Sequence, residues 1–282
     1  MSSDSLPIVR CYVGEPHGPE TWPVPKQWID LSHNYVNAGA CTPLENSSHF
    51  VLGTRRGVYQ SVHDEFLHDL DTRPRPHGWR TGRTDSQPPF RGDVLAVDYL
   101  QECPQVVLAG TRSGHICQLD LRTPAKEWES KVFRHKSSVA HIKAVGPYNI
   151  LAAGPRNAMC IYDIRFTRAR EQKANQKPFR PWEQHAVAPA VEFPGYRNDA
   201  YIKIGLDVLN EPGYGHGVVA AAHDDCTVGL YSVRDGSRIS SPDVDKIKAR
   251  GVIKAMMFQT LPDDQHPSLF VGVGPVVQKF SF

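Results

Sequence analysis

Hydrophobic and polar residues alternate in short runs along most of this chain, and few runs have the spacing of a helix with an apolar face. Two stretches show the pattern most clearly: residues 106–122, VVLAGTRSGHICQLDLR, and residues 149–165, NILAAGPRNAMCIYDIR. Each reads as an apolar strand, a turn, a second strand and then Asp-x-Arg. The aspartates that close these units, Asp120 and Asp163, are 43 residues apart. A repeat of about 40–45 residues with several strands per unit is typical of a β-propeller.

Weaker copies extend the repeat along the chain. The same strand–turn–strand pattern occurs in residues 49–62, 217–234 and 269–282. A further apolar strand precedes four of the units, at residues 94–100, 139–145, 202–209 and 252–258. The fourth strand of each unit is expected in the run between units. We therefore predict an all-β propeller with about five to seven blades of four antiparallel strands.

We predict a short N-terminal segment, residues 1–29, followed by a propeller, residues 30–282. The run PIVRCYVGE at residues 7–15 is a candidate for the outer strand of the last blade, which would join the chain ends and remove an exposed edge. Two long insertions are rich in basic residues and proline, at 71–92 and 166–190. The blade count stays open: the pattern fits five full blades with an irregular sixth, or a chain that lacks a first blade.

Charge, hydropathy and cysteine content argue against a membrane-spanning or secreted protein. Lys and Arg number 32 against 30 Asp and Glu, so no overall field requires a nucleic acid or an acidic membrane. No apolar run approaches the roughly 18 residues of a membrane-spanning helix, and the first residues do not form a secretory signal. The six cysteines form no C-x-x-C pair. They predict reduced thiols in an intracellular protein of the nucleus or cytoplasm, with a zinc site as the alternative. We predict no metal and no cofactor.

The repeating units resemble WD40 repeats. The Trp-Asp dipeptide of that family corresponds here to Leu119-Asp120 and Tyr162-Asp163. Its Gly-His dipeptide corresponds to Arg134-His135 and to Gly195-Tyr196. The resemblance covers roughly residues 30–282 and implies a propeller fold.

A closer resemblance rests on the order of several segments. HKSSV is followed by a strand that ends in YDIR, by GVVAAAHDDCTVGLYSVRDGSRI with a Ser-Pro turn, and by LFVGVGPVVQKFSF. This order is similar to the WD-repeat substrate receptors of cullin-4 RING ubiquitin ligases, of the associated factor 4 type. Such receptors dock on the large β-propeller adaptor of the ligase through W-D-x-R boxes. The resemblance implies adaptor-binding roles for Asp120, Arg122, Tyr162, Asp163, Arg165 and Arg234. Leu119 and Tyr162 replace the tryptophans of the boxes, and the third box has Ser232 in place of aspartate.

The Asp-x-Arg pairs also have a physical interpretation of their own. Residues i and i+2 of a strand point to one face, so Arg122 lies beside Asp120 and Arg165 beside Asp163. An arginine held by a carboxylate is a pre-ordered donor for an acidic or carbonyl-rich partner. In the alternative interpretation, each aspartate ties down its own turn and each arginine is a solvated surface residue.

Other polar residues are interpreted as structural. We expect His135, His223, Asp224 and Asp225 to form buried networks that specify the fold. No G-x-S-x-G, H-E-x-x-H or G-x-x-x-x-G-K motif is present, and a non-catalytic protein is predicted. Its partners would be the adaptor and an unidentified substrate protein, with no membrane. Two alternatives stay open: a WD40 scaffold of another complex, and binding of nucleic acid or phosphoinositide through the basic insertions or the Arg55-Arg56-Gly57 turn.

Overall fold

The structure is a five-bladed β-propeller. The computed structural model describes residues 8–11, 27–30, 36–41, 50–62, 66–69, 92–123, 131–169, 185–210, 217–262 and 264–281. All regular elements in these ranges are strands, and five antiparallel sheets form the blades, which confirms the predicted fold class. No helix in this part of the chain is long and apolar enough to span a membrane.

Each of the first four blades is a meander of four strands in chain order. Blade 1 has β3 (Val36–Cys41), β4 (Phe50–Thr54), β5 (Gly57–Val62) and β6 (Phe66–Asp69). Blade 2 has β7 (Val94–Leu100), β8 (Cys103–Thr111), β9 (His115–Asp120) and β10 (Val132–Arg134). Blade 3 has β11 (His141–Ala144), β12 (Asn149–Gly154), β13 (Ala158–Ala169) and β14 (His185–Glu192). Blade 4 has β15 (Leu206–Leu209), β16 (Val218–Ala222), β17 (Val228–Ser232) and β18 (Arg238–Ile239).

The last blade has three strands in the described part of the chain. They are β19 (Met256–Gln259), β20 (Ser268–Val273) and β21 (Val276–Ser281), and β21 lies at the edge. The N-terminal segment forms a separate two-stranded sheet of β1 (Ile8–Cys11) and β2 (Gln27–Asp30). Closure of the last blade by residues 7–15 therefore stays a prediction. Of the two insertions, residues 71–91 and 170–184 lie outside the described residues.

All five repeats of the sequence are the second and third strands of a blade. The first strand of blade 2 spans residues 94–100, as predicted, but those of blades 3 to 5 begin later than predicted. The reason is that apolar residues in the preceding connections are also buried. Val139, Ile204 and Ile253 lie in those connections and pack between blades. Apolar character there reflects burial of the connection rather than an extended strand.

The hydrophobic core is a series of layers between neighbouring blades. Four clusters fill the spaces between blades 1 and 2, 2 and 3, 3 and 4, and 4 and 5. Two glycines permit close approach of the next blade. A Cβ on Gly53 would lie 2.8 Å from Val94 Cγ1, and a Cβ on Gly110 would overlap the side chain of Val139.

Polar side chains link the first strands of successive blades. The Asp98 carboxylate of blade 2 accepts the Ala144 N–H of blade 3 at 2.9 Å. The Asp207 carboxylate of blade 4 accepts the Phe258 N–H of blade 5 at 2.8 Å and lies 3.4 Å from Lys143 Nζ. Burial raises the pKa of Asp98, although its backbone hydrogen bonds act in the opposite direction. These contacts join the first strands of blades 2 and 3, 3 and 4, and 4 and 5.

Candidate functional site

The first Asp-x-Arg box forms a closed fork at the end of blade 2. Asp120 is the last residue of β9, and Arg122 follows in the turn. Arg122 donates from Nε to Asp120 Oδ1 at 2.8 Å and from Nη2 to Asp120 Oδ2 at 2.7 Å. Its backbone N–H also donates to Oδ1 at 3.0 Å. These charge-assisted bonds lower the pKa of Asp120 and raise that of Arg122.

The second box forms the same fork on blade 3. Arg165 donates from Nε to Asp163 Oδ1 at 3.0 Å and from Nη2 to Asp163 Oδ2 at 2.6 Å, and its backbone N–H donates to Oδ1 at 3.0 Å. The pKa of Asp163 is lowered, chiefly by the hydrogen bond from Arg165. Both arginine side chains remain more than half exposed, at 61% for Arg122 and 53% for Arg165.

The two forks lie at the same end of neighbouring blades. Asp120 pairs with Val106 near the start of β8, and Asp163 pairs with Asn149 at the start of β12. The turns that join second to third strands lie at the opposite end. We call the end that carries Asp120, Arg122, Asp163 and Arg165 the fork face.

The surroundings of Arg165 include two exposed aromatic rings. The Arg165 guanidinium carbon lies 4.6 Å from the centre of the Tyr148 ring and 5.4 Å from that of Phe166. Tyr148 is 48% exposed and Phe166 67% exposed. The sequence motifs identify neither residue as part of the site. Phe166 directly follows the box, which was a usable signal, whereas Tyr148 lies in the turn between β11 and β12.

Tyr162, at the tryptophan position of the second box, points into the protein. It is 1% exposed, and its hydroxyl lies 2.9 Å from Nδ1 of the buried His135. The ring also makes an edge contact with Phe133. Tyr162 has no surface with which to contact a partner directly, so its role in the box is to hold the strand that carries Asp163.

The third box lacks the fork. Ser232 stands at the aspartate position, pairs with Val218, and offers no carboxylate to Arg234. Arg234 lies exposed in the turn after β17. The next residue, Asp235, accepts the N–H of Ser237 at 3.0 Å and its hydroxyl at 2.7 Å, so this carboxylate stabilises the turn.

Blade 4 contains a second buried polar network. His223 Nε2 lies 2.7 Å from the Tyr231 hydroxyl, which donates to the Gly195 carbonyl at 2.8 Å. Asp225 is exposed rather than buried as expected, and it accepts the Thr227 hydroxyl at 2.6 Å at the surface of the turn. Desolvation lowers the pKa of His223.

Asp224 forms its hydrogen bond outside its own turn. Its carboxylate accepts the N–H of Asp199 at 2.9 Å and so attaches the turn to the connection between blades 3 and 4. Asp225 closes its own turn and also lies 3.5 Å from Arg197 Nη1 in that connection, so both carboxylates attach the turn to the same segment.

The Arg55-Arg56 pair lies in a tight hairpin turn at the opposite end from the fork face. Thr54 and Gly57 pair across this turn, and the Thr54 hydroxyl donates to the Gly57 carbonyl at 3.0 Å. Gly57 has φ of 137°, a conformation that side-chain-bearing residues rarely adopt. Among the described residues, no group of three or more His, Cys, Asp or Glu is placed to hold a metal ion.

Comparison with known proteins gives likenesses of structure alone. No protein-family model matches the sequence, and the search of curated proteins finds no match. Among solved structures, 940 chains match. The computationally designed Ika4 protein is 13% identical with a TM-score of 0.44, over 67% of this chain and 91% of Ika4. The computationally designed Ika8 protein is 13% identical with a TM-score of 0.48, over 86% of this chain and 57% of Ika8.

Proposed function

We propose that this propeller is a non-catalytic protein-interaction module and that it serves as a substrate receptor of a cullin-4 RING ubiquitin ligase. In this proposal the fork face docks on the β-propeller adaptor of the ligase. Arg122 and Arg165 contact the adaptor, and Asp120 and Asp163 orient them. The opposite face is left for a substrate protein.

One observation carries the proposal: two neighbouring blades present the same bidentate Asp–Arg fork on the same face. Exposed ion pairs add little stability, so stability gives no strong reason for two matched bidentate forks. Holding the guanidinium in one orientation lowers the entropy lost when a partner binds. The resemblance of the boxes to W-D-x-R supplies the identity of that partner.

The proposal is tested by affinity purification from native cells, with the bound proteins identified by mass spectrometry. Wild type is compared with Arg122→Glu/Arg165→Glu. The matched control is Arg156→Glu/Arg250→Glu, which makes the same charge change at exposed positions away from the fork face. The adaptor is expected with wild type and control, and it is expected to be lost from the fork variant. Thermal unfolding shows whether the variants are folded.

Other outcomes decide between the alternatives. Absence of the adaptor from wild type contradicts the ligase role, and a stable set of other partners would favour a scaffold of another complex. Binding that falls steeply with salt and is insensitive to both fork arginines would favour contact with phosphate groups through the basic segments.

A further inference from the structure

The forks of blades 2 and 3 have the same hydrogen bonds but different neighbours. In each blade, the residue between Asp and Arg donates its N–H to the carbonyl of the residue just before the one that pairs with the aspartate. Leu121 donates to the Gln105 carbonyl at 2.8 Å, and Ile164 donates to the Tyr148 carbonyl at 2.9 Å. Gln105 and Tyr148 are therefore equivalent positions beside the two arginines. Blade 2 is polar at this position, and blade 3 has an aromatic ring.

The position after the arginine differs in the same way. Thr123 follows Arg122 and donates its hydroxyl to the Asp120 carbonyl at 3.2 Å, whereas Phe166 follows Arg165 and remains 67% exposed. In blade 3 the Arg165 guanidinium thus has two rings within cation–π distance. Among the described residues, Arg122 has no such ring contact.

An irregularity of the sheet places Phe166 on the surface. Tyr162 pairs with Pro189 and Thr167 with Val187, so four residues of β13 face one residue of β14. Those four residues run from Asp163 to Phe166 and contain the whole fork. Bulges of this kind re-aim side chains and are common at functional sites. This bulge allows the fork and the ring to project from the same segment.

The arrangement leaves Arg165 pre-ordered and still able to bind. A guanidinium has five N–H donors, and Asp163 uses two of them. The remaining donors lie beside exposed ring surface. Arginine and tyrosine dominate the residues that contribute most to protein–protein affinity, and contacts of this kind require removal of water by an apolar surround.

We infer that Tyr148, Arg165 and Phe166 form the anchor of the docking surface and that the Arg122 fork lies at its polar rim. This inference rests on the proposed function and specifies how the same face recognises its partner. The partner surface that fits the anchor carries a backbone or carboxylate oxygen for Arg165. It also carries an aliphatic or aromatic side chain next to that oxygen, which covers the two rings. A purely acidic surface would leave both rings exposed to water.

The test measures the dissociation constant of the purified adaptor propeller from this chain and its variants. Tyr148→Gln/Phe166→Thr installs the residues that blade 2 carries at the equivalent positions, so the fold tolerates them beside an intact fork. We expect this variant to weaken binding about thirtyfold, the scale of an interface hot spot. Tyr148→Phe keeps the ring and is expected to stay within about threefold of wild type. Arg122→Ala, at the rim, is expected to lose less than about fivefold.

Tyr201→Ala is the matched control, because Tyr201 is 44% exposed and lies in the connection before blade 4, away from the fork face. It is expected to bind as wild type does. If Tyr148→Gln/Phe166→Thr also binds like wild type while Arg165→Ala loses binding, the anchor inference is wrong and the proposed docking role stands. If wild type does not bind the adaptor, both are overturned. A loss at Arg122→Ala as large as at Arg165→Ala contradicts the assignment of anchor and rim.

Discussion

At the residue scale, buried histidine–tyrosine pairs fix the third strands of blades 3 and 4. Tyr162 and Tyr231 occupy equivalent positions on these strands, opposite Ile150 and Val219. The partner of Tyr162 is His135, which comes from the connection before blade 3, whereas the partner of Tyr231 is His223, in the turn of its own blade. Each buried tyrosine hydroxyl therefore has a histidine partner, but the two histidines come from different segments of the chain.

The Tyr162→Phe substitution tests the first of these pairs. Loss of the hydroxyl leaves Nδ1 of His135 without its partner in a buried position, and we expect a loss of about 1–3 kcal/mol in the free energy of unfolding. Tyr148→Phe removes a hydroxyl from an exposed ring and is expected to change stability by less than about 0.5 kcal/mol. Denaturant unfolding of both variants provides the comparison. Equal stability of the two variants would contradict a structural role for the pair.

The acid stability of the protein should also depend on His135. Burial lowers the pKa of His135 from its ordinary 6.5 to about 4. The unfolded chain therefore takes up this proton at a higher pH than the folded chain. The stabilising contribution is complete above pH 6.5 and is lost as the pH falls through 4.

The expected result is a free energy of unfolding that declines from about pH 6.5 to pH 4. His135→Gln removes one titrating group and should decline less steeply over this range. Burial also lowers the pKa of His141 to about 4. His141 remains in that variant, so part of the decline in the free energy of unfolding remains. Parallel curves for wild type and His135→Gln would show that His135 does not titrate differently on folding.

At the scale of elements, the fold is defined by how closely one blade can approach the next. Gly53 and Gly110 occur in the related segments LGTRRG and AGTRSG, at the ends of the second strands of blades 1 and 2. In both segments the threonine that follows is buried, and its hydroxyl bonds to the hairpin turn. The absence of a side chain at the glycine allows the next blade to pack closely, and the threonine hydroxyl stabilises the hairpin turn.

Gly110→Ala tests this close approach. The added Cβ would overlap Val139 at the interface of blades 2 and 3, and overpacking of this kind costs about 1–3 kcal/mol. Gly251→Ala is the matched control, since nothing lies within 4 Å of a Cβ at Gly251. Thermal unfolding should show a lower Tm for the first variant and an unchanged one for the second. An unchanged Tm for Gly110→Ala would mean that the blades can separate without cost.

Much of this element structure could be predicted from the sequence because it is local. The five strand–turn–strand repeats depend on alternation within about 15 residues. Asp and Arg two residues apart do meet as predicted, although Arg122 lies in the turn after β9 and Arg165 in a bulge rather than on a regular strand face. Contacts between distant segments escaped prediction. Tyr148 contacts Arg165 across a turn that a backbone bond joins to β13. The pairing of β1 with β2 joins strands separated by 15 residues.

At the scale of the whole molecule, the two faces of the propeller carry different kinds of residues. One end carries the two forks and the Tyr148–Phe166 rings. The other end carries the tight turns with Gly57, Gly114 and the His223–Asp225 segment. Four apolar layers hold successive blades in register between these ends. In the described residues, β21 forms an open edge, with Val276 and Val277 more than half exposed.

The central claim is that the fork face docks on the adaptor, and site-specific photo-crosslinking in a mixture of the two purified proteins tests it most directly. A photoreactive residue is placed at Gln105, which is exposed beside the Arg122 fork, or at Arg156, which is exposed in the turn between β12 and β13 at the opposite end. Neither position belongs to a fork, so docking stays intact. We predict a crosslink to the adaptor from position 105 and none from position 156. A crosslink from position 156 alone, or from neither position, would contradict the claim.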